Sequence, residues 1–181
     1  MSKTYELTLG PLKRNLPLVR INPTTTIASF VLLGDAELTE YAADQLSQKL
    51  AATPFDYLVT MESKGIPLAQ VLSDKTHHPH FIVLRKSVKD YMHAPVSEPV
   101  HAITTSSDQK LVLDGADAAL IKGKRVIIVD DVISSGGSLN TARALLNQAG
   151  ATIVKQLAIL AEGDAADRDD IDFLAPLPLF K

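Results

Sequence analysis

Two adjacent carboxylates, Asp130 and Asp131, stand between an apolar run and a loop of small residues, Ser134-Ser135-Gly136-Gly137-Ser138. The run Val126-Ile127-Ile128-Val129 is β-branched throughout and reads as a buried strand. Leu139 to Leu146 carries apolar residues at helical spacing, so a helix follows the loop. In an open α/β sheet, ligands bind beyond the carboxyl ends of the strands. A helix N-terminus presents unpaired N–H groups and a positive dipole end, which together hold a phosphate. Gly136 and Gly137 let the backbone approach that phosphate closely, and Ser134, Ser135 and Ser138 add hydroxyl donors. Two carboxylates beside such a cradle repel phosphate but suit sugar hydroxyls, or a hydrated Mg²⁺ nearby. The ligand these residues imply is a ribose carrying a phosphate.

Two further segments supply charge. Glu62-Ser63-Lys64-Gly65-Ile66 follows the apolar run Tyr57 to Met61, so it reads as a strand end, a tight turn and a helix start. Gly65 frees the backbone there and Lys64 contributes a cation. Arg85-Lys86-Ser87-Val88-Lys89 follows another strand, His80 to Leu84, and offers three more cations. Taken alone, these segments also fit an ordinary βα-loop and a solvated basic loop.

The Asp130–Ser138 stretch resembles the phosphoribosyl pyrophosphate (PRPP) motif of type I phosphoribosyltransferases: an apolar strand, two acids, two variable residues and a small hydroxyl-rich glycine loop. Ser135 and Ser138 stand where threonine is commoner in that family, and they keep the hydroxyls. Glu62-Ser63-Lys64-Gly65-Ile66 is similar to the pyrophosphate loop of adenine phosphoribosyltransferases, with lysine for arginine and Ile66 for an aromatic residue. A lysine acts as a point charge and lacks the guanidinium fork. The resemblance implies transfer of the 5-phosphoribosyl group from PRPP to a purine, with adenine first and xanthine, guanine or hypoxanthine second. It implies Asp130 and Asp131 on the ribose hydroxyls and Ser134 to Ser138 on the 5′-phosphate. It places the pyrophosphate on Glu62, Ser63, Lys64, Gly65, Arg85, Lys86 and Lys89, with Mg²⁺ carried by PRPP and no direct protein ligand. It also implies a homodimer in the cytoplasm, and a mobile loop starting at Arg85-Lys86. The glutamate that adenine-type relatives often carry in that loop is absent: Thr104 and Thr105 occupy the nearest positions. A PRPP-sensing regulator without turnover is the alternative from another class, as is a Mg²⁺-dependent phosphate enzyme using Asp130 as nucleophile.

These residues must be held by a scaffold. The chain has 181 residues, enough for one domain with a sizeable core over residues 1–181. It has no cysteine, which excludes disulfides, thiolate metal sites and a cysteine nucleophile, and is compatible with a reducing compartment. A net charge of -3 argues against a broad basic surface for nucleic acid, and no apolar run is long enough to span a bilayer. His77, His78, His80, His93 and His101 match no metal-ligand spacing.

Asp35 reads as an N-cap for a helix over Glu37 to Leu50, and Ile66 to Leu72 as a second helix with Pro67 in its first turn. Strands are predicted at Ile27 to Leu33, Tyr57 to Met61, His80 to Leu84, Arg125 to Val129 and Ala151 to Ala161. Residues Tyr5 to Ile21 read as short extended pieces and turns, and Lys86 to Pro99 as a long loop. Val100 to Thr105 and Lys110 to Leu113 read as an antiparallel pair. Glu162-Gly163-Asp164 follows a strand and reads either as a group reaching a base or as a turn. Strands alternating with helices predict an α/β fold: a central, mainly parallel sheet flanked by helices, with an inserted loop and antiparallel pair. A small hood is expected from about residues 1–34 plus the C-terminal tail, with base selection around Pro17 to Ile27.

Overall fold

The computed structural model describes residues 3–100 and 109–180. In chain order the elements are β1 (Thr4–Leu9), β2 (Leu12–Asn22), β3 (Thr25–Ala28), α1 (Ala36–Leu50), β4 (Tyr57–Met61), α2 (Ile66–Lys75), β5 (Phe81–Leu84), β6 (Val96–Pro99), β7 (Lys110–Leu113), α3 (Gly115–Ile121), β8 (Arg125–Ile133), α4 (Gly137–Gln148), β9 (Thr152–Glu162), a 3-10 turn at Gly163–Asp167, β10 (Asp172–Leu177) and β11 (Leu179–Phe180). Five strands form a parallel sheet in the order β10-β9-β8-β4-β5. This is the type I phosphoribosyltransferase architecture the sequence implied.

The central strand shows why the sheet is buried on both faces. Val126 and Ile128 of β8 point into one core with Leu139, Ala142, Leu145 and Leu146 of α4. Ile127 and Val129, one residue out of step, point into the other core with α1 and α2. A strand alternates its side chains, so only a continuous apolar run can fill two cores at once.

Asp35 accepts a hydrogen bond from the Leu38 N–H and caps α1, as its position before the apolar period predicts. Pro67 sits in the first turn of α2, where no intrahelical N–H is lost.

The hood is a four-stranded antiparallel sheet in the order β1-β2-β3-β11. Its inner face is not separate from the rest: Leu7, Leu9 and Leu16 share a core with Leu38, Leu46, Leu58 and Leu157.

Several expectations need correction. Tyr5 to Ile21 is a regular hairpin rather than short pieces, and β2 carries Pro17 without interruption. The strand expected at Ile27 to Leu33 is shorter and earlier, Thr25–Ala28, because pairing with β2 and β11 ends there. Lys110 to Leu113 is a strand, but its partner is Val96–Pro99, inside the segment read as loop. Most of the partner expected at Val100 to Thr105 lies outside the described residues, together with Thr104 and Thr105 themselves. The tail divides: β10 joins the edge of the parallel sheet, and only β11 enters the hood. Helix α3, capped by Asp114, had no reading in the sequence.

Among the described residues, no helix is long and apolar enough to cross a membrane, and no group of carboxylates or histidines forms a metal cluster.

Candidate active site

The chain leaves β4 through α2 to β5 on one side, and leaves β8 through α4 to β9 on the other. Between β4 and β8 the strand order reverses, which opens a crevice at their carboxyl ends. Tyr57 to Thr60 of β4 pair in register with Val126 to Val129 of β8. The turn after Met61 and the acids after Val129 therefore emerge side by side, although 68 positions separate Glu62 from Asp130 in the chain.

Asp131 is 3% exposed, and its Oδ2 lies 3.1 Å from Lys64 Nζ. The contact is an ion pair, and that buried oxygen accepts no hydrogen bond among the described residues. Asp130 is half-buried and accepts the Asp131 N–H on Oδ1 at 2.9 Å. Burial first, and then the neighbouring Asp131, pushes the Asp130 carboxyl well above the ordinary carboxylate range. Lys64 stands against Asp131, not Asp130.

Gly65 is required by this arrangement. A Cβ there would stand 2.3 Å from Thr60 Oγ1 and 3.0 Å from Asp130 Oδ1, inside the contact limit. Its absence of side chain lets α2 start directly against β8. Ser63 occupies the same turn, joined to Glu62 by a cis peptide.

Glu62 faces the other basic segment. Its Oε2 accepts from Arg85 Nε at 3.2 Å and from the Lys86 backbone N–H at 2.9 Å, with Lys89 Nζ 4.0 Å from Oε1. The Lys86 N–H bond, followed by the charges of Arg85 and Lys89, holds the Glu62 carboxyl below its usual range. Arg85 is pinned from the opposite side by two backbone bonds to Val112 of β7, at 2.8 and 2.7 Å. The inserted antiparallel pair is therefore a brace for the cationic segment.

A cleft of about 170 Å³ is lined by Glu62, Lys64, Lys86, Asp130, Asp131 and Ser138. It meets a second hollow formed by Asp130 and the Ser134–Leu139 turn at the start of α4. Gly136 has φ +80°, the left-handed region that favours glycine, and this turn lays the loop over the N-terminus of α4. A third cleft, about 440 Å³, adjoins Ser134 and Ser135 and is walled by Glu162, Asp164, Arg168 and Leu179. The residues expected from the three motifs thus converge, with Arg85 and Lys89 behind Glu62 rather than lining the cleft. Arg168 had no reading in the sequence, and folding sets it beside the loop.

A phosphoribosyl transferase domain model matches residues 34–175. The chain belongs to the phosphoribosyl transferase family. Hypoxanthine/guanine phosphoribosyltransferase of Methanococcus voltae is 37% identical over 142 residues, spanning 78% of this chain and 71% of that protein. The enzyme of the same name from Methanotorris igneus is 31% identical over 160 residues, spanning 88% and 75%. Among solved structures, the adenine phosphoribosyltransferase of Thermoanaerobacter pseudethanolicus superposes with a TM-score of 0.69 at 22% identity, covering 96% of this chain and 95% of its own. The Giardia lamblia enzyme complexed with 9-deazaadenine gives 0.70 at 15% identity, covering 96% and 93%. At such identities the phosphoribosyltransferase structures speak for the fold alone.

Proposed function

We propose that this phosphoribosyltransferase moves the 5-phosphoribosyl group of PRPP to a purine nitrogen, releasing pyrophosphate. The observation that carries this reading is the convergence of Asp130, Asp131, Lys64, Lys86 and Ser138 on one cleft at the β4–β8 crevice. Asp130 and Asp131 take the ribose hydroxyls. The negative charge of Asp131 offsets the positive charge that develops on the ribose ring as the anomeric bond to pyrophosphate breaks. The Ser134–Ser138 turn binds the 5′-phosphate through N–H and hydroxyl donors. Lys64, Lys86 and, through the shared segment, Arg85 and Lys89 receive the departing pyrophosphate. Glu62, which faces these cations, orders them, and Ser63 and Gly65 supply the close backbone approach. Catalysis on this reading is positioning and electrostatics.

The donor set suits Mg²⁺ carried by the substrate. The open acceptor on buried Asp131 Oδ2 can take a sugar hydroxyl or a metal-bound water. Mg²⁺ arriving with PRPP would neutralise the leaving pyrophosphate.

For the acceptor, a 6-oxopurine stands first, because relatives named for hypoxanthine and guanine are 31% to 37% identical over most of the chain. Adenine, the sequence expectation, is the second reading, favoured by the Glu62–Ile66 loop. Incubation with PRPP, Mg²⁺ and each purine in turn, following pyrophosphate release, tests both. Release with hypoxanthine or guanine is the expected result. Release with adenine alone selects the second reading, and no release with any base rejects turnover.

A further inference from the structure

Arg168 carries an orientation that its surroundings impose. Asp170 accepts from Arg168 Nε and from Nη2, each at 2.8 Å, a two-point fork that fixes the guanidinium plane. Asp170 is itself held from two other elements: Arg143 Nη1 of α4 at 3.1 Å, and Gln156 Nε2 of β9, which donates to the Asp170 carbonyl at 2.9 Å. The Arg168 fork outweighs the opposing effect of burial and brings the Asp170 carboxyl down to about 2, so the pair stays charged through the neutral range.

The third nitrogen, Nη1, has no acceptor among the described residues. It lies over Gly136, where an added Cβ would be only 2.6 Å away. The stretch from Asp130 to Leu139 contains two carboxylates and no cation. Lys64, the nearest cation from β4, is already engaged by Asp131. A phosphate dianion lodged at Ser134–Ser138 beside two acids therefore lacks a local positive partner, and Arg168 is the group aimed at that place.

We propose that Arg168 is a binding residue for the 5′-phosphate of the phosphoribosyl substrate, and that Asp170 is its positioning residue. The proposal rests on the phosphoribosyl-transfer reading above, but it concerns binding and does not require turnover. A charged hydrogen bond of this kind changes affinity by about ten- to a hundredfold.

Isothermal titration calorimetry with ribose 5-phosphate, with inorganic pyrophosphate and with purine bases separates the contributions. Arg168→Gln is expected to weaken ribose 5-phosphate binding at least about tenfold while leaving pyrophosphate binding unchanged. Arg168→Lys, which restores charge without the fork, should recover part of the loss. Asp170→Asn should weaken ribose 5-phosphate less than Arg168→Gln does, and should lower its sensitivity to salt less. A melting temperature within a few degrees of the parent for at least one of these variants excludes unfolding as the cause. Unchanged ribose 5-phosphate affinity in a folded Arg168→Gln protein overturns the proposal, as does a loss confined to the purine base. Failure of the parent protein to bind ribose 5-phosphate overturns both this proposal and the transfer reading. Binding without turnover sinks only the latter.

Discussion

At the scale of single residues, the neighbours Asp130 and Asp131 illustrate how unlike two adjacent carboxyls become. Asp131 has a lysine beside it and is nearly inaccessible, whereas Asp130 is burdened by burial and by Asp131. The sign of the effect on stability follows. Because the native state holds the Asp130 proton more tightly than the unfolded chain, stability falls as pH rises from the ordinary carboxylate range through the raised value. Asp130→Asn removes that decline. Its melting temperature should exceed the parent's by a few degrees at pH 7 to 8, while turnover drops by about a hundredfold or more. A melting curve at several pH values, beside an activity assay, checks both; equal melting at high pH would count against the buried-charge account. Gly65→Ala is a sharper steric test, because Thr60 Oγ1 lies 2.3 Å from the new carbon and belongs to a fully buried residue. A loss of about 1–3 kcal/mol by denaturant unfolding is expected, together with loss of activity, since the displaced turn carries Lys64.

At the scale of elements, the cationic segment after β5 is held between Glu62 on β4's turn and Val112 on β7. Glu62→Ala removes the acceptor from the Lys86 N–H and the partner of Arg85 together. The KM for PRPP should rise about tenfold, with kcat less affected, because the ligand must then order the segment itself. Glu62→Gln keeps an acceptor for the Lys86 N–H and should fall between the two. Since the Glu62 carboxyl is held below its usual range, its ordering effect is complete above that range and fades as pH drops through the lowered value. Steady-state kinetics that show kcat alone changing would place Glu62 in the chemical step rather than in positioning.

At the scale of the whole molecule, hood and parallel sheet share one core. Leu7 of β1 is buried with Leu38 and Leu46 of α1 and Leu58 of β4. Leu7→Ala should cost about 2–5 kcal/mol, and unfolding should remain a single transition whether followed by circular dichroism or by calorimetry. A separate early transition for the hood would show that its strands do not depend on that core. Continuity of this kind matters for function, because β11 of the hood brings Leu179 to the wall of the cleft that also holds Ser134 and Glu162.

The amino-acid order by itself determined the parts of the site that are contiguous. Asp130 to Ser138 is one strand end, one turn and one helix start, so local pattern and turn chemistry suffice to read it. The Glu62–Gly65 turn and the Asp35 cap were legible for the same reason, as was the parallel α/β plan, which follows from apolar runs alternating with helical periods. What spans the chain was not legible. The pairing of Val96–Pro99 with Lys110–Leu113 was displaced from its expected place, because short apolar runs do not specify their partners. Tail residues Asp172–Leu177 went to the sheet edge rather than the hood, a choice made by the vacant side of β9. The bonds from Arg85 and Lys86 to Glu62, and the approach of Arg168 Nη1 to Gly136, join residues more than twenty positions apart. Spacing along the chain carries no signal for such contacts: only the packing of strands and turns decides which charges meet.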